Sequence, residues 1–234
     1  MSQRMIALVL ACGLGLPAMA ETGQFRVTVG PLTAGTLAYA GEDSGGRYAA
    51  TGAVRASGLA GLFLDTRVDA AASGRVTGNA YRPERFDQTT VEDGAEVSSA
   101  FRYRDGVPTV TRTPPPRKPP KFAADPGKQG GTVDPMTAAY AILRDRPADL
   151  ACDLAIQMFD GRRRADIRLV GGEAVPGGLS CRGEYRRVEG FSPEELAEKP
   201  VWPFTVSYRA AGGVLQVEEV RVPTTFGAVR IRRQ

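Results

Sequence analysis

Histidine is absent from all 234 residues, and that gap removes several kinds of chemistry at once. Without imidazole there is no Ser-His-Asp or Cys-His apparatus, no imidazole proton shuttle and no His-ligated zinc. Cysteine is scarce: Cys12, Cys152 and Cys181 form no Cys-x-x-Cys redox pair and bring no further ligands for a metal site. No apolar run reaches the about 20 residues that a permanent membrane helix needs. Phosphate loops are missing too, because Gly58-Leu-Ala-Gly61 and Gly171-Gly172 lack the strand–loop–helix frame and the lysine. Charge of one sign is not concentrated. The formal net charge is +4, and the arginines are spread over alternating strand positions, which gives no footprint for nucleic acid. The one dense run, Arg162-Arg163-Arg164, follows Asp160-Gly161 and reads as a solvated hairpin turn. No cofactor motif is present.

What is there begins with an address. A basic start at Arg4, an apolar run from Met5 to Leu16 and the small residues of Ala18-Met19-Ala20 predict a Sec signal peptide, residues 1–20, cleaved before Glu21. Val9-Leu10-Ala11-Cys12 loosely resembles a lipobox, but Leu10 is bulky for its place, so cleavage after Ala20 is expected in preference to lipid attachment at Cys12. The expected location is the periplasm. Cys152 and Cys181 are then the whole cysteine complement in an oxidising compartment, which predicts a structural disulfide. Closing a loop of that length stabilises a fold by about 3 kcal/mol in the chain-entropy model.

Residues 21–234 read as one domain, mainly β. Phe25-Val27-Val29, Tyr48-Ala50-Gly52-Val54, Leu154-Ile156-Met158, Ala165-Ile167-Leu169 and Phe204-Val206-Tyr208 alternate with period two between Gly, Asp and Ser clusters, the pattern of half-buried strands. Cys152 extends the third of these runs. About ten to twelve such strands are expected, enough for a strongly curved antiparallel sheet, a β-spiral or incomplete barrel. The apolar segment Gly58 to Asp65 reads as a tight bend or short helix. Residues 113–131 hold six prolines, so they cannot join a ladder and read as a mobile loop. A Pro-rich ligand for a partner groove is the other reading of that loop. Asp134-Pro135 supplies an N-cap and a first helical residue, with Met136, Ala139, Tyr140 and Leu143 on one face. This helix is expected to pack in the concave side of the sheet. Ser192-Pro193-Glu194-Glu195 carries the capping box of a second, short helix.

Carboxylates are the only acid–base candidates. Asp65 and Asp69, Asp149 and Asp153, and Glu218-Glu219 are the local groupings, but no substrate-binding motif accompanies them. Ser57, Ser73 and Ser180 have no base in view. No catalytic residue and no metal ligand is therefore assigned. A binding role has more behind it, since inward aromatic side chains on a curved sheet either fill its core or enclose an apolar cavity. Tyr48, Phe63, Phe101, Met136, Tyr140, Trp202 and Tyr208 are the residues expected to face a ligand.

Several strings are familiar in this order: Gly131-Thr-Val-Asp-Pro-Met-Thr-Ala-Ala-Tyr140, Phe159-Asp-Gly-Arg-Arg163, Cys181-Arg-Gly-Glu-Tyr185 with Val188-Glu-Gly190, and Thr224-Thr-Phe-Gly-Ala-Val229. Together with Tyr48 to Gly61 and Tyr81-Arg82-Pro83, they resemble a family of exported bacterial proteins, domain of unknown function 3108. The resemblance implies a one-domain periplasmic β protein, similar in arrangement to the half-barrels of lipoprotein-localisation and other envelope lipid carriers. It supplies no catalytic residues. The expectation is a non-enzymatic envelope protein that binds a lipid, another apolar ligand or an envelope protein and supports envelope integrity. The readings set against it are a carboxylate-only hydrolase and a structural adaptor using the Pro-rich loop.

Overall fold

A computed structural model describes residues 20–57, 66–116, 118, 120–225 and 227–234. Among them, thirteen strands form a single antiparallel sheet that does not close into a barrel. The strands are β1 (Glu21–Val29), β2 (Leu32–Ser44), β3 (Arg47–Ala56), β4 (Thr66–Thr77), β5 (Ala80–Glu92), β6 (Ala95–Arg104), β7 (Val107–Thr113), β8 (Leu154–Phe159), β9 (Arg164–Val175), β10 (Gly178–Glu189), β11 (Val201–Ala211), β12 (Val214–Thr224) and β13 (Gly227–Arg233). The described residues also form two α-helices, α1 (Pro135–Leu143) and α2 (Pro193–Glu198). The expected count of ten to twelve strands was low. The bend expected over Gly58–Asp65 lies outside the described residues.

The order across the sheet is β7-β6-β5-β4-β3-β2-β1-β13-β12-β11-β10-β9-β8. Two meanders are therefore zipped together by the first and last strands, with Phe25 opposite Arg233 and Val29 opposite Val229. Period-two alternation puts Phe25, Tyr39, Tyr48, Phe86, Phe101, Leu154, Leu169, Val206, Tyr208 and Val217 on one face, all buried. That face must curl. Helix α1 packs on β3, β4 and β5 and also on β8, strands that stand far apart in the sheet order, so the sheet wraps around it. The two edges approach one another. Phe101 of β6 and Phe159 of β8 have ring centroids 6.0 Å apart, and Arg112 of β7 donates to the Asp160 carbonyl at 3.2 Å.

The Pro-rich stretch is not uniformly a mobile loop. Its first part runs on from β7, but Ala124 and Gln129 are buried, and a 3-10 turn at Pro126–Lys128 is capped by Asp125. Next along the chain, Gly131 N donates to Gly106 O at 3.0 Å. Val133 N donates to Gln157 O at 2.7 Å and Val133 O accepts from Phe159 N at 2.8 Å. The segment thus bridges the seam between the β6–β7 turn and edge strand β8, where unpaired backbone groups would otherwise stand open.

The concave face is shaped to receive α1. Gly41 lies under the Tyr140 ring and Gly52 under the Met136 sulfur, where an added Cβ would come to 2.4 and 2.6 Å. The disulfide is present, with the two Cα atoms 5.4 Å apart. Cys152 precedes β8 instead of lying in it. It reaches past Gly172 of β9 to Cys181 on β10.

Candidate functional site

Asp134 starts the helix as the sequence predicts. Its Oδ1 accepts from Thr137 N at 2.8 Å and its Oδ2 from the Thr137 hydroxyl at 2.7 Å. The other end of α1 is locked by charges that sequence patterning did not reveal. Tyr39 donates to Leu143 O at 3.0 Å, Arg144 pairs with Asp43 and donates to Gly78 O, and Arg146 is 1% exposed. The Arg146 guanidinium donates to the Leu150 and Ala141 carbonyls, and its backbone pairs with Leu215. Asp145 accepts from Gln216 and Arg233 and donates its N–H to Glu21. Burial and the Asp145 carboxylate push Glu21 up to about 7. This polar plug closes the end of the concave face where β1 starts.

The opposite end is apolar. One cavity of about 140 Å³ is lined by Leu37, Val54 and Val68 of the sheet and Met136, Ala139 and Leu143 of α1. A larger one, about 410 Å³, lies over β9–β12, with Ile142, Ile167, Phe204, Val220 and Val222 as its apolar walls. Tyr185 and Trp202, opposite each other on β10 and β11, also line it. Arg163, Arg187 and Phe191 complete the lining. The Arg163 guanidinium stands 4.9 Å over Phe191. That of Arg187 is 5.3 Å from Phe191 and 5.6 Å from Trp202, while Lys199 Nζ is 3.9 Å over Trp202. Helix α2 holds this corner. Ser192 and Glu195 form a reciprocal capping box, and Glu195 accepts from Arg163 at 2.8 Å through its carboxylate and from Arg187 through its carbonyl.

Of the residues predicted to face a ligand, Trp202 lines the larger cavity and Met136 the smaller. Tyr48, Phe101, Tyr140 and Tyr208 are at most 2% exposed and sit in the packed core. Tyr48 shares a 2.7 Å hydrogen bond with Thr137, Tyr208 bonds to Ala151 O, and Tyr140 stacks on Tyr48. The strand rings face inward as alternation predicts and Tyr140 does so from α1; close packing left no room beside them. Phe63 lies outside the described residues. The cleft residues missed were Ile142, Arg163, Ile167, Tyr185, Arg187, Phe191, Phe204, Val220 and Val222. Alternation turns Ile167 and Phe204 inward, and the run Arg162-Arg163-Arg164 is the visible signal for Arg163. Its turn is made by Asp160 Oδ1, which accepts from the backbone N–H groups of Arg162 and Arg163. The Arg163 side chain lies in the cleft lining while staying half-exposed.

The carboxylate groupings do not assemble. Asp69 pairs with Arg55 at 2.5 Å on the outer face, Asp149 lies in a 3-10 turn and Asp153 before β8, and Asp65 is outside the described residues. No carboxylate lines the 410 Å³ cavity. Among the described residues no group of three or more His, Cys, Asp or Glu is placed to hold a metal. No helix among them is long and apolar enough to cross a membrane.

A thirteen-stranded antiparallel sheet curled around a helix and left open defines a β-barrel-like fold, and among the described residues no catalytic constellation assembles. The chain belongs to the family described as protein of unknown function DUF3108, whose profile matches residues 24–216. No curated protein matches it. It is similar in fold to a solved β-barrel-like protein of domain of unknown function DUF1849 from Brucella abortus. That likeness has a TM-score of 0.54 at 12% identity and covers 93% of this chain and 96% of the other.

Proposed function

We propose that this protein works in the periplasm as a non-enzymatic envelope protein that holds an apolar ligand in its concave face and so supports envelope integrity. The observation that carries the reading is the 410 Å³ cavity over β9–β12. Its volume falls within the roughly 300–1,000 Å³ of small-molecule sites, and its walls are mostly apolar with a few placed polar groups, as such sites are. In the first half of the same concave face α1 and its aromatic neighbours leave only the smaller cavity of about 140 Å³. Export is supported by the start of β1 at Glu21, the residue after the expected cleavage point, and by the Cys152–Cys181 bridge, which needs an oxidising compartment.

The test is native mass spectrometry on protein expressed with its own leader and recovered from the periplasm. The expected species starts at Glu21 and carries a lipid-sized adduct that organic extraction removes. Repeated recovery of bare protein from cells with intact envelopes would sink the carrier reading.

A further inference from the structure

The chemistry of the cleft rim narrows the ligand class. We infer that the β9–β12 cleft is built for a single-chain anionic amphiphile, a long-chain acyl carboxylate whose head group meets Arg187 and Arg163 and whose tail lies along Ile142, Ile167, Phe204 and Val220. This rests on the proposed ligand-holding function and adds the identity of the head group.

Three observations support it together. The first is charge. Arg163, Arg187 and Lys199 surround the aromatic corner, and among the described residues Glu195 is the one carboxylate bonded to any of them. Arg163 has that partner at 2.8 Å, while Arg187 donates only to a backbone carbonyl and has no ion pair among the described residues. A cation at the rim of an apolar cleft with no carboxylate partner among the described residues suits a ligand that brings one.

The second is placement. The Arg187 guanidinium carbon is 5.3 Å from the Phe191 ring centre and 5.6 Å from that of Trp202, and that of Arg163 is 4.9 Å from Phe191. Among the described residues Arg187 makes one side-chain hydrogen bond, from Nη1 to the Glu195 carbonyl, so further N–H groups remain for a carboxylate, which a guanidinium matches in geometry. The Arg163 Nε is buried with no partner, a donor still to be satisfied.

The third is volume and wall chemistry. The walls beyond the arginines are isoleucine, valine and phenylalanine, and 410 Å³ lies near the lower end of small-molecule pockets, at about 300–1,000 Å³. That is a space for one chain in place of two. A neutral hydrocarbon brings no anion to Arg187, and a cationic amphiphile is repelled by it.

Trp202 is the only tryptophan in the chain and lines the cleft, so intrinsic fluorescence reports occupancy directly. Delipidated full-length mature protein is titrated at pH 8 with hexadecanoate, hexadecan-1-ol and hexadecyltrimethylammonium, each below its micellisation concentration. Hexadecanoate is expected to shift Trp202 emission saturably and to bind at least about tenfold more tightly than the alcohol, the size of effect a charge-assisted hydrogen bond gives. Arg187→Gln is expected to bring hexadecanoate down to the alcohol's affinity and to leave the alcohol unchanged, with Arg187→Lys recovering part of the loss. Equal binding of acid and alcohol by the wild type overturns the head-group assignment while leaving the carrier reading in place. So does an Arg187→Gln protein that still binds hexadecanoate as the wild type does. Failure of all three probes to move Trp202 overturns this inference for the cleft; bare protein in the mass-spectrometry experiment as well overturns the carrier reading. If Arg187→Gln does not fold, the wild-type comparison of acid and alcohol decides alone.

Discussion

At Asp134 a helix cap and a burial penalty act on one carboxyl group, in opposite directions. The two bonds to Thr137 and the helix N-terminus favour the ionised form. Complete burial disfavours it, and Tyr48 and Tyr103 close by offer no cation. Burial wins, and the carboxyl is pushed from its ordinary 3.8 up to about 6. The folded state then binds more protons than the unfolded state between those two values. The contribution is fully present below about pH 4 and is lost as pH rises through about 6, with a total on the order of 2–3 kcal/mol. Asparagine keeps the cap without the charge. Asp134→Asn is therefore expected to match the wild type near pH 4 and to exceed it by on the order of 1–2 kcal/mol at pH 8, read from urea midpoints at the two pH values. A variant that is less stable at pH 8 would show that the ionised cap is worth more than its burial costs.

Edge strand β8 is where a single covalent link should matter most. It is six residues long, has β9 on one side and, among the described residues, only the single bridge to Val133 on the other, and starts two residues after Cys152. The bridge to Cys181 ties this edge to the third strand inward. Its loop of 29 positions corresponds to about 3 kcal/mol, and for a chain of this size each kcal/mol moves the melting temperature by about 2–4 °C. Cys152→Ser is expected to melt about 6–12 °C lower, with amides of Leu154–Phe159 losing hydrogen-exchange protection before those of β2–β4. Unchanged melting under oxidising conditions would remove the bridge from the list of stabilising features. The same elements show what was legible in advance. The period-two runs identified the strands, and Asp134-Pro135 marked the start of α1 because N-cap chemistry is local. Pairing across the sheet was not legible. Nothing in either segment announces that β1 meets β13, and that pairing sets Arg26 opposite Arg232, gathering on one face arginines that look dispersed along the chain. Nor was filling legible, since alternation says that Tyr48 and Trp202 both turn inward but not that α1 occupies the space at one and stops short of the other. Arg144 and Arg146 carry no local signal, because their partners come from β2, the β4–β5 turn, the helix itself, the 3-10 turn after it and β12.

On the scale of the whole molecule, chain order and spatial order disagree, and the disagreement predicts how the protein responds to a cut. The connection from Pro114 to Phe122 is the covalent join between the two meanders at the seam, and Phe122 is 40% exposed. The non-covalent joins are more extensive. β1 of the first meander is paired to β13 of the second along five registered residues, Phe25 to Val29. Helix α1 lies after the cut in sequence but packs into the first meander, where Tyr140 meets Tyr39, Tyr48 and Tyr81. Tyr39 and Tyr48 are hydrogen-bonded to that helix as well. Burying one such aromatic ring is worth about 1.5–3 kcal/mol, and three surround one helix residue, so the interface left by a cut is a core in its own right. A specific protease site inserted after Pro116 and cleaved to completion should leave both fragments in one peak on native chromatography at micromolar concentration, still melting in a single transition. Removing β1 along with the cut should separate them, because the central ladder goes with it. Fragments that part after the cut alone would mean that the β1–β13 ladder and the seat of α1 are too weak to hold the sheet together without the covalent seam.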